Sequence, residues 1–147
     1  MTYELEATDA GFDEENDALT VGFGGVPDSD GLPTVYLTLQ RSTDKREDEP
    51  GIGGVYAEWC EQSMSCYGRI GSFDLYPGSV RVKFTDEAKF YVPERAGGAD
   101  SGGRLTELLI TFTLEGQKFR DLQEKLSFIF QGCGCYMVHD VDAPTSA

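Results

Sequence analysis

The chain holds one histidine, His139. That removes the usual base from most acid–base and nucleophilic schemes, because serine and cysteine nucleophiles normally work beside an imidazole. Its place near the C-terminal end reads as a solvated tail residue. Cys60, Cys66, Cys133 and Cys135 could gather four thiolates around zinc, but their intervals are C-x5-C and C-x-C, neither the usual C-x2-C. A redox pair and small buried or edge residues are the other readings, and the last is the default. Carboxylates are so numerous, 26 in all, that a pair such as Glu58 and Glu61 does not mark a hydrolase, and strand alternation sets those two on opposite faces. Asp28-Ser29-Asp30-Gly31 opens like a calcium loop, yet the twelfth position is Leu39 where a glutamate is needed. The glycine-rich stretches Gly22–Gly25 and Gly97–Gly103 lack a Gly-Lys-Ser/Thr and do not join a strand to a helix, so they read as turns or linkers. Catalytic, metal and cofactor sites are therefore all expected to be absent, and the chain is not expected to be an enzyme.

Binding is what remains, and charge says to what. Twelve basic residues stand against 26 acidic ones, a net charge of −14. Such a field repels nucleic acid and anionic membrane, and it speeds encounter with a basic protein. Solubility or a salty habitat would explain the same surplus. Nine Phe, seven Tyr and one Trp supply too much aromatic surface for a solvated coil. The 147 residues suit one domain, 1–147, that needs no disulfide. The opening Met1 to Glu6 has neither the basic nor the apolar region of a secretory signal, and no apolar run reaches membrane-spanning length. A soluble, cytoplasmic protein with free thiols is expected.

The elements that must position any binding residues read mostly as strands. Alternation predicts strands over Tyr3–Thr8, Ala18–Gly24 and Thr34–Arg41, the last with Val35, Leu37 and Leu39 on one face and Tyr36, Thr38 and Gln40 on the other. Asp9–Asp17 reads as an acidic loop, the stretch from Gly24 to Pro33 as a loop, and Ser42–Gly54 as a charged connector. Val55–Gln62 is β in character, with both faces mixed. Cys66–Ile70, Ser72–Tyr76 and Ser79–Thr85 follow, with Pro77-Gly78 as a hairpin turn that pairs Phe73 and Leu75 with Val80, Val82 and Phe84. Ala96–Gly103 reads as a flexible excursion, and Leu105–Leu114 as a strand with Leu108, Ile110, Phe112 and Leu114 on one face. Phe119, Leu122, Leu126, Ile129 and Phe130 recur at helical spacing, predicting a helix over Gln117–Gln131 stopped by Gly132. The expected class is α+β: a mostly antiparallel sheet of about six to eight strands with one C-terminal amphipathic helix on one face.

Several of these segments together resemble the immunity protein 10 family of bacterial polymorphic toxin systems. The resemblance lies in Tyr36-Leu37-Thr38-Leu39-Gln40-Arg41-Ser42, in Val55-Tyr56-Ala57-Glu58-Trp59-Cys60-Glu61-Gln62, in the hairpin through Val82 and Phe84, and in the passage from Leu109–Phe112 to Leu122, Leu126, Ile129 and Phe130. It spans residues 33–131, leaving 132–147 as a C-terminal tail. It implies a small α+β protein that neutralises a cognate toxin by direct contact. Tyr56, Glu58 and Gln62 match a recurrent Tyr-x-Glu-x-x-x-Gln pattern and serve either the fold or the interface. With the acidic run Asp44, Glu47, Asp48 and Glu49 they form the expected partner-binding set. The expected partner is a basic toxin, a nuclease being one option, and the protein itself is expected to be a monomer or homodimer. The alternative is an acidic chaperone for a secreted effector, which would begin with a helix and dimerise. A small metal-dependent enzyme ranks third.

Overall fold

The computed structural model describes residues 2–25, 35–43, 55–61, 63–93 and 102–141. Among the described residues ten strands fall into two sheets, and one α-helix follows the ninth strand. The first sheet contains β1 (Thr2–Glu6), β9 (Glu107–Thr111), β8 (Ser79–Phe84), β7 (Ile70–Tyr76) and β10 (Tyr136–Val138), in that order. Its two edge strands, β1 and β10, run parallel to their neighbours, and its central pairs are antiparallel. The second sheet is antiparallel throughout: β2 (Asp9–Glu15), β3 (Ala18–Gly24), β4 (Tyr36–Ser42), β5 (Tyr56–Trp59) and β6 (Ser65–Tyr67). The α+β class holds; the strands are more numerous than alternation alone suggested, and they divide between two layers.

Alternation drives this arrangement. In β3, β4 and β5 the apolar positions Leu19, Val21, Phe23, Leu37, Leu39, Ala57 and Trp59 are buried, as are Phe73, Leu75, Val80, Val82, Leu108 and Ile110 in the first sheet. All of them belong to one continuous cluster, so the two inner faces are closed on each other. Rings bridge the layers: Tyr3 meets Trp59 edge-on at 5.9 Å, and Phe112, just past β9, meets Phe23 at 5.8 Å. The mixed faces of residues 55–61 are thereby settled, with Val55, Ala57 and Trp59 inward. The chain passes between layers at residues 7–8, where the Ala7 amide donates to Thr111 of one sheet and the Thr8 amide to Gly24 of the other.

Three sequence readings change. Asp9–Glu15 is a strand and not a loop: its inward side offers only Ala10 and Phe12, too little apolar signal to read through four carboxylates, yet it pairs along its whole length with β3. Asn16 and Asp17, both at positive φ, make the two-residue turn that joins them. Gly22 and Gly24 lie in β3, as the alternation over Ala18–Gly24 predicts and against the reading of Gly22–Gly25 as turn or linker. Beyond Gly132, the stretch read as a tail carries β10, which lengthens the first sheet through register with Phe73–Leu75. His139 follows it: its ring stacks on Tyr76 at 4.4 Å, and its Nε2 lies 3.0 Å from Asp74 Oδ1, so it is a packed residue. The Pro77-Gly78 hairpin forms as expected, with Gly78 at positive φ and Phe73 opposite Val82. Of the glycine-rich excursion, only residues 102 and 103 are among those described.

The helix α1 runs over Gly116–Ile129 and buries Leu122, Leu126 and Ile129, packing chiefly on β2, β3 and β4 from the inner side. Its C-terminal carbonyls meet Arg41, whose guanidinium donates to Ile129 O at 3.0 Å and to Gln131 O. Arg41 occupies an inward position of β4, and a cation there suits the negative end of the helix dipole. Phe130 then stacks toward Phe73 at 4.7 Å, tying the helix end to the first sheet. Arg41→Ala is expected to cost about 1.5–3 kcal/mol of unfolding free energy in urea, as loss of charged hydrogen bonds to carbonyls does. A change below about 0.5 kcal/mol would show that the helix end is held by packing alone.

Candidate functional site

The inner sides of β3–β5 are consumed by the core, so the residues of these strands available for recognition are those at the alternate positions. Register sets them in rows. One row crosses the sheet as Gly11, Gly22, Thr38, Glu58 and Ser65. Beside it runs Asp13, Thr20, Gln40, Tyr56 and Tyr67. On its other side stand Asp9, Gly24 and Tyr36. The helix and the first sheet both lie behind this face.

At its centre a carboxylate is held by two tyrosines. Tyr36 donates its hydroxyl to Glu58 Oε2 at 2.6 Å, and Tyr56 donates to Oε1 at 2.8 Å. Tyr56 comes from the same strand two residues away, whereas Tyr36 reaches across from β4, so the strand pairing itself assembles the trio. The Tyr56 ring packs against Tyr67 at 5.3 Å, and Tyr67 is 64% exposed. Burial raises the Tyr56 hydroxyl above the ordinary 10.0, and the adjacent Glu58 carboxylate adds to the rise. The phenol thus stays protonated and the carboxylate keeps its donors.

Toward β2 the face falls into a trough of about 340 Å³, lined among others by Gly11, Gly22, Thr38 and Tyr36 with Asp9 and Asp13 at its margin. Gly11 and Gly22 sit opposite each other in extended backbone, and a Cβ at either would meet nothing within 4 Å. Glycine inside a strand costs about 0.5–1 kcal/mol relative to alanine. The fold gains nothing from it at these two positions.

The electrostatics of the face are one-sided. Asp9, Asp13, Glu15 and Glu58 point outward from the second sheet, and no Lys or Arg does so among the described residues of its strands. On the first sheet, Glu4, Glu6, Glu107 and Asp74 share the outer surface with Arg81, Lys83 and His139. Arg81 Nε lies 3.9 Å from Glu107, and a hollow of about 400 Å³ there includes Arg81 beside Glu4 and Glu6. Acidity on that side is partly neutralised in place.

Of the expected binding set, Tyr56 and Glu58 are brought together. Gln62, Asp44, Glu47, Asp48 and Glu49 lie outside the described residues. Tyr36 completes the site and was missed as a site residue, although the alternation that buried Val35, Leu37 and Leu39 already turned it outward. The four cysteines are free thiols, Cys60 buried and Cys133 exposed, and no group of three metal-ligating side chains occurs among the described residues. No helix of the described chain is long and apolar enough to cross a membrane.

The sequence model of the family described as Immunity protein 10 matches residues 6–92, more than half of the chain. The chain belongs to this family. The match takes in β2 to β8 and the whole acidic face, including Tyr36, Tyr56 and Glu58. It begins earlier than the residues that first suggested the family and ends before β9 and α1, so the strand-to-helix passage lies beyond the matched part of this Immunity protein 10 chain. No curated protein matches the sequence.

Two outcomes follow for the immunity protein in solution. Tyr36→Phe is expected to lower unfolding free energy by about 0.5–1.5 kcal/mol, one partly exposed hydrogen bond, in urea titration; no loss would mean that Glu58 is held by Tyr56 alone. Burial is the main cause raising the values of Tyr3, Tyr56, Tyr136, Cys66 and Cys135 above their ordinary 10.0 and 9.0. The unfolded chain therefore releases these protons first, so stability is intact below about pH 9 and falls as pH rises through the folded values. Urea midpoints measured from about pH 8 to about pH 11 should decline, and a flat or rising series would contradict the burial of these groups.

Proposed function

We propose that this protein neutralises a cognate bacterial toxin in the cytoplasm of the producing cell, by direct contact between its acidic surface and a basic surface of the toxin. The observation that carries the reading is the one-signed outer face of the second sheet in a chain of the Immunity protein 10 family. The net charge of −14 favours a cationic partner by the same sign rule. Tyr56 and Glu58 are contact residues in this account, as are Gln62 and the acidic residues Asp44, Glu47, Asp48 and Glu49, which lie outside the described residues. Tyrosines that are rigid, amphipathic and partly exposed are the side chains from which interface anchors are commonly made. The protein acts by occupying the toxin and not by turning over a substrate.

Co-expression with the protein encoded immediately beside it should yield a co-purifying complex and restore growth to cells poisoned by that protein. The association rate should fall about ten-fold or more between about 0.05 M and about 0.5 M salt, because screening removes the steering field. A neighbour that neither binds nor is neutralised would remove the proposal. Binding at a rate indifferent to salt would remove its electrostatic part.

A further inference from the structure

Gly11 and Gly22 are the residues on the outer face that folding does not explain. They face each other across β2 and β3, in extended backbone with open space where a side chain would go. Glycine is poorly suited to strand interiors, and its recurring use there is to let another backbone come close. The same row continues through Thr38 to Glu58, whose carboxylate is fixed by Tyr36 and Tyr56. A carboxylate offers about four acceptor sites, and the two hydroxyls occupy one on each oxygen, which leaves capacity for a further donor.

Resting on the immunity reading, we propose that this row is the docking lane: an extended basic segment of the toxin lies across the strands, its backbone on the floor of Gly11 and Gly22, and an arginine of that segment ends at Glu58. Asp9 and Asp13 flank the lane at its β2 end and attract the same segment's charge. The occupant is cationic because the outward charges of this sheet are Asp9, Asp13, Glu15 and Glu58, with no Lys or Arg among the described residues of its strands. A second copy of this chain would bring the same sign and be repelled. Arginine fits the Glu58 end better than lysine, since a planar guanidinium both forks onto a carboxylate and stacks on tyrosine rings. The first sheet, whose outer carboxylates share their surface with Arg81 and Lys83, is not the docking face.

The test is the affinity of purified variants for the purified toxin encoded beside this chain, measured by calorimetry together with a melting curve for each variant. Gly22→Val adds a β-favouring side chain into open space, so it should melt no lower than the native chain while binding about thirty-fold or more weakly. Thr38→Lys, an outward change that leaves both glycines in place, should weaken binding about as much by setting a cation in the lane. Glu58→Gln should weaken it about ten-fold or more, and Glu4→Gln on the other sheet should leave it within about three-fold. If the native chain binds but folded Gly22→Val or Thr38→Lys binds within about three-fold of it, the lane is overturned and the immunity reading stands. If Glu4→Gln weakens binding as much as Glu58→Gln, the face is misassigned. If the native chain does not bind at all, the immunity reading itself falls and the lane with it.

Discussion

The stacking of two sheets over one aromatic core is the constraint from which the rest of this molecule follows. Trp59, Phe23, Phe73 and Phe90 are fully buried, and both sheets contribute to the one cluster that contains them. Because side chains alternate along a strand, burying one set of positions turns the other set outward without choice. Leu37 and Leu39 inward mean Tyr36, Thr38 and Gln40 outward; Ala57 and Trp59 inward mean Tyr56 and Glu58 outward. Register then determines which of these become neighbours. A slip of one residue between β4 and β5 would separate Tyr36 from Glu58 and bury a carboxylate.

The helix and the last strand serve that constraint. α1 covers the inner side of β2–β4, and Arg41 anchors its end from within the sheet. Phe130 and Tyr136 stack at 5.4 Å and press on Phe73, so the chain returns to the first sheet and extends it. One consequence is a division of labour between faces. The first sheet carries charges of both signs, with Arg81 beside Glu107, while among the described strand residues of the second the outward charges are all carboxylates, one of which, Glu58, is held by two tyrosine hydroxyls.

How much of this the sequence disclosed depended on the strength of local periodicity. Tyr36–Ser42, the Pro77-Gly78 hairpin and the helical stripe from Phe119 to Phe130 each carry enough apolar residues to be read directly. β2 does not, because an edge strand with Ala10 and Phe12 as its only apolar contacts looks like solvated loop. β10 is three residues long after a glycine turn, too short for any pattern, and its pairing with β7 is a long-range event. The parallel pairing of β1 with β9 spans a hundred residues and has no local signature. Tyr56 and Glu58 were legible through a motif, whereas Tyr36 belongs to the site only because β4 lies beside β5. Gly22 carries two readings, turn material from its glycine-rich setting and strand from the alternation of Leu19, Val21 and Phe23 around it, and the second one holds.

We propose that a basic partner is met by the outer face of the second sheet. Mapping backbone amide shifts by nuclear magnetic resonance, as unlabelled toxin is added to labelled protein, tests it most directly. The account requires the largest changes along β2 to β5, centred on Gly11, Gly22, Thr38 and Glu58, with the outward residues of β8 and β9 little affected. Changes concentrated instead on Ser79, Arg81 and Leu109 of the first sheet would contradict it.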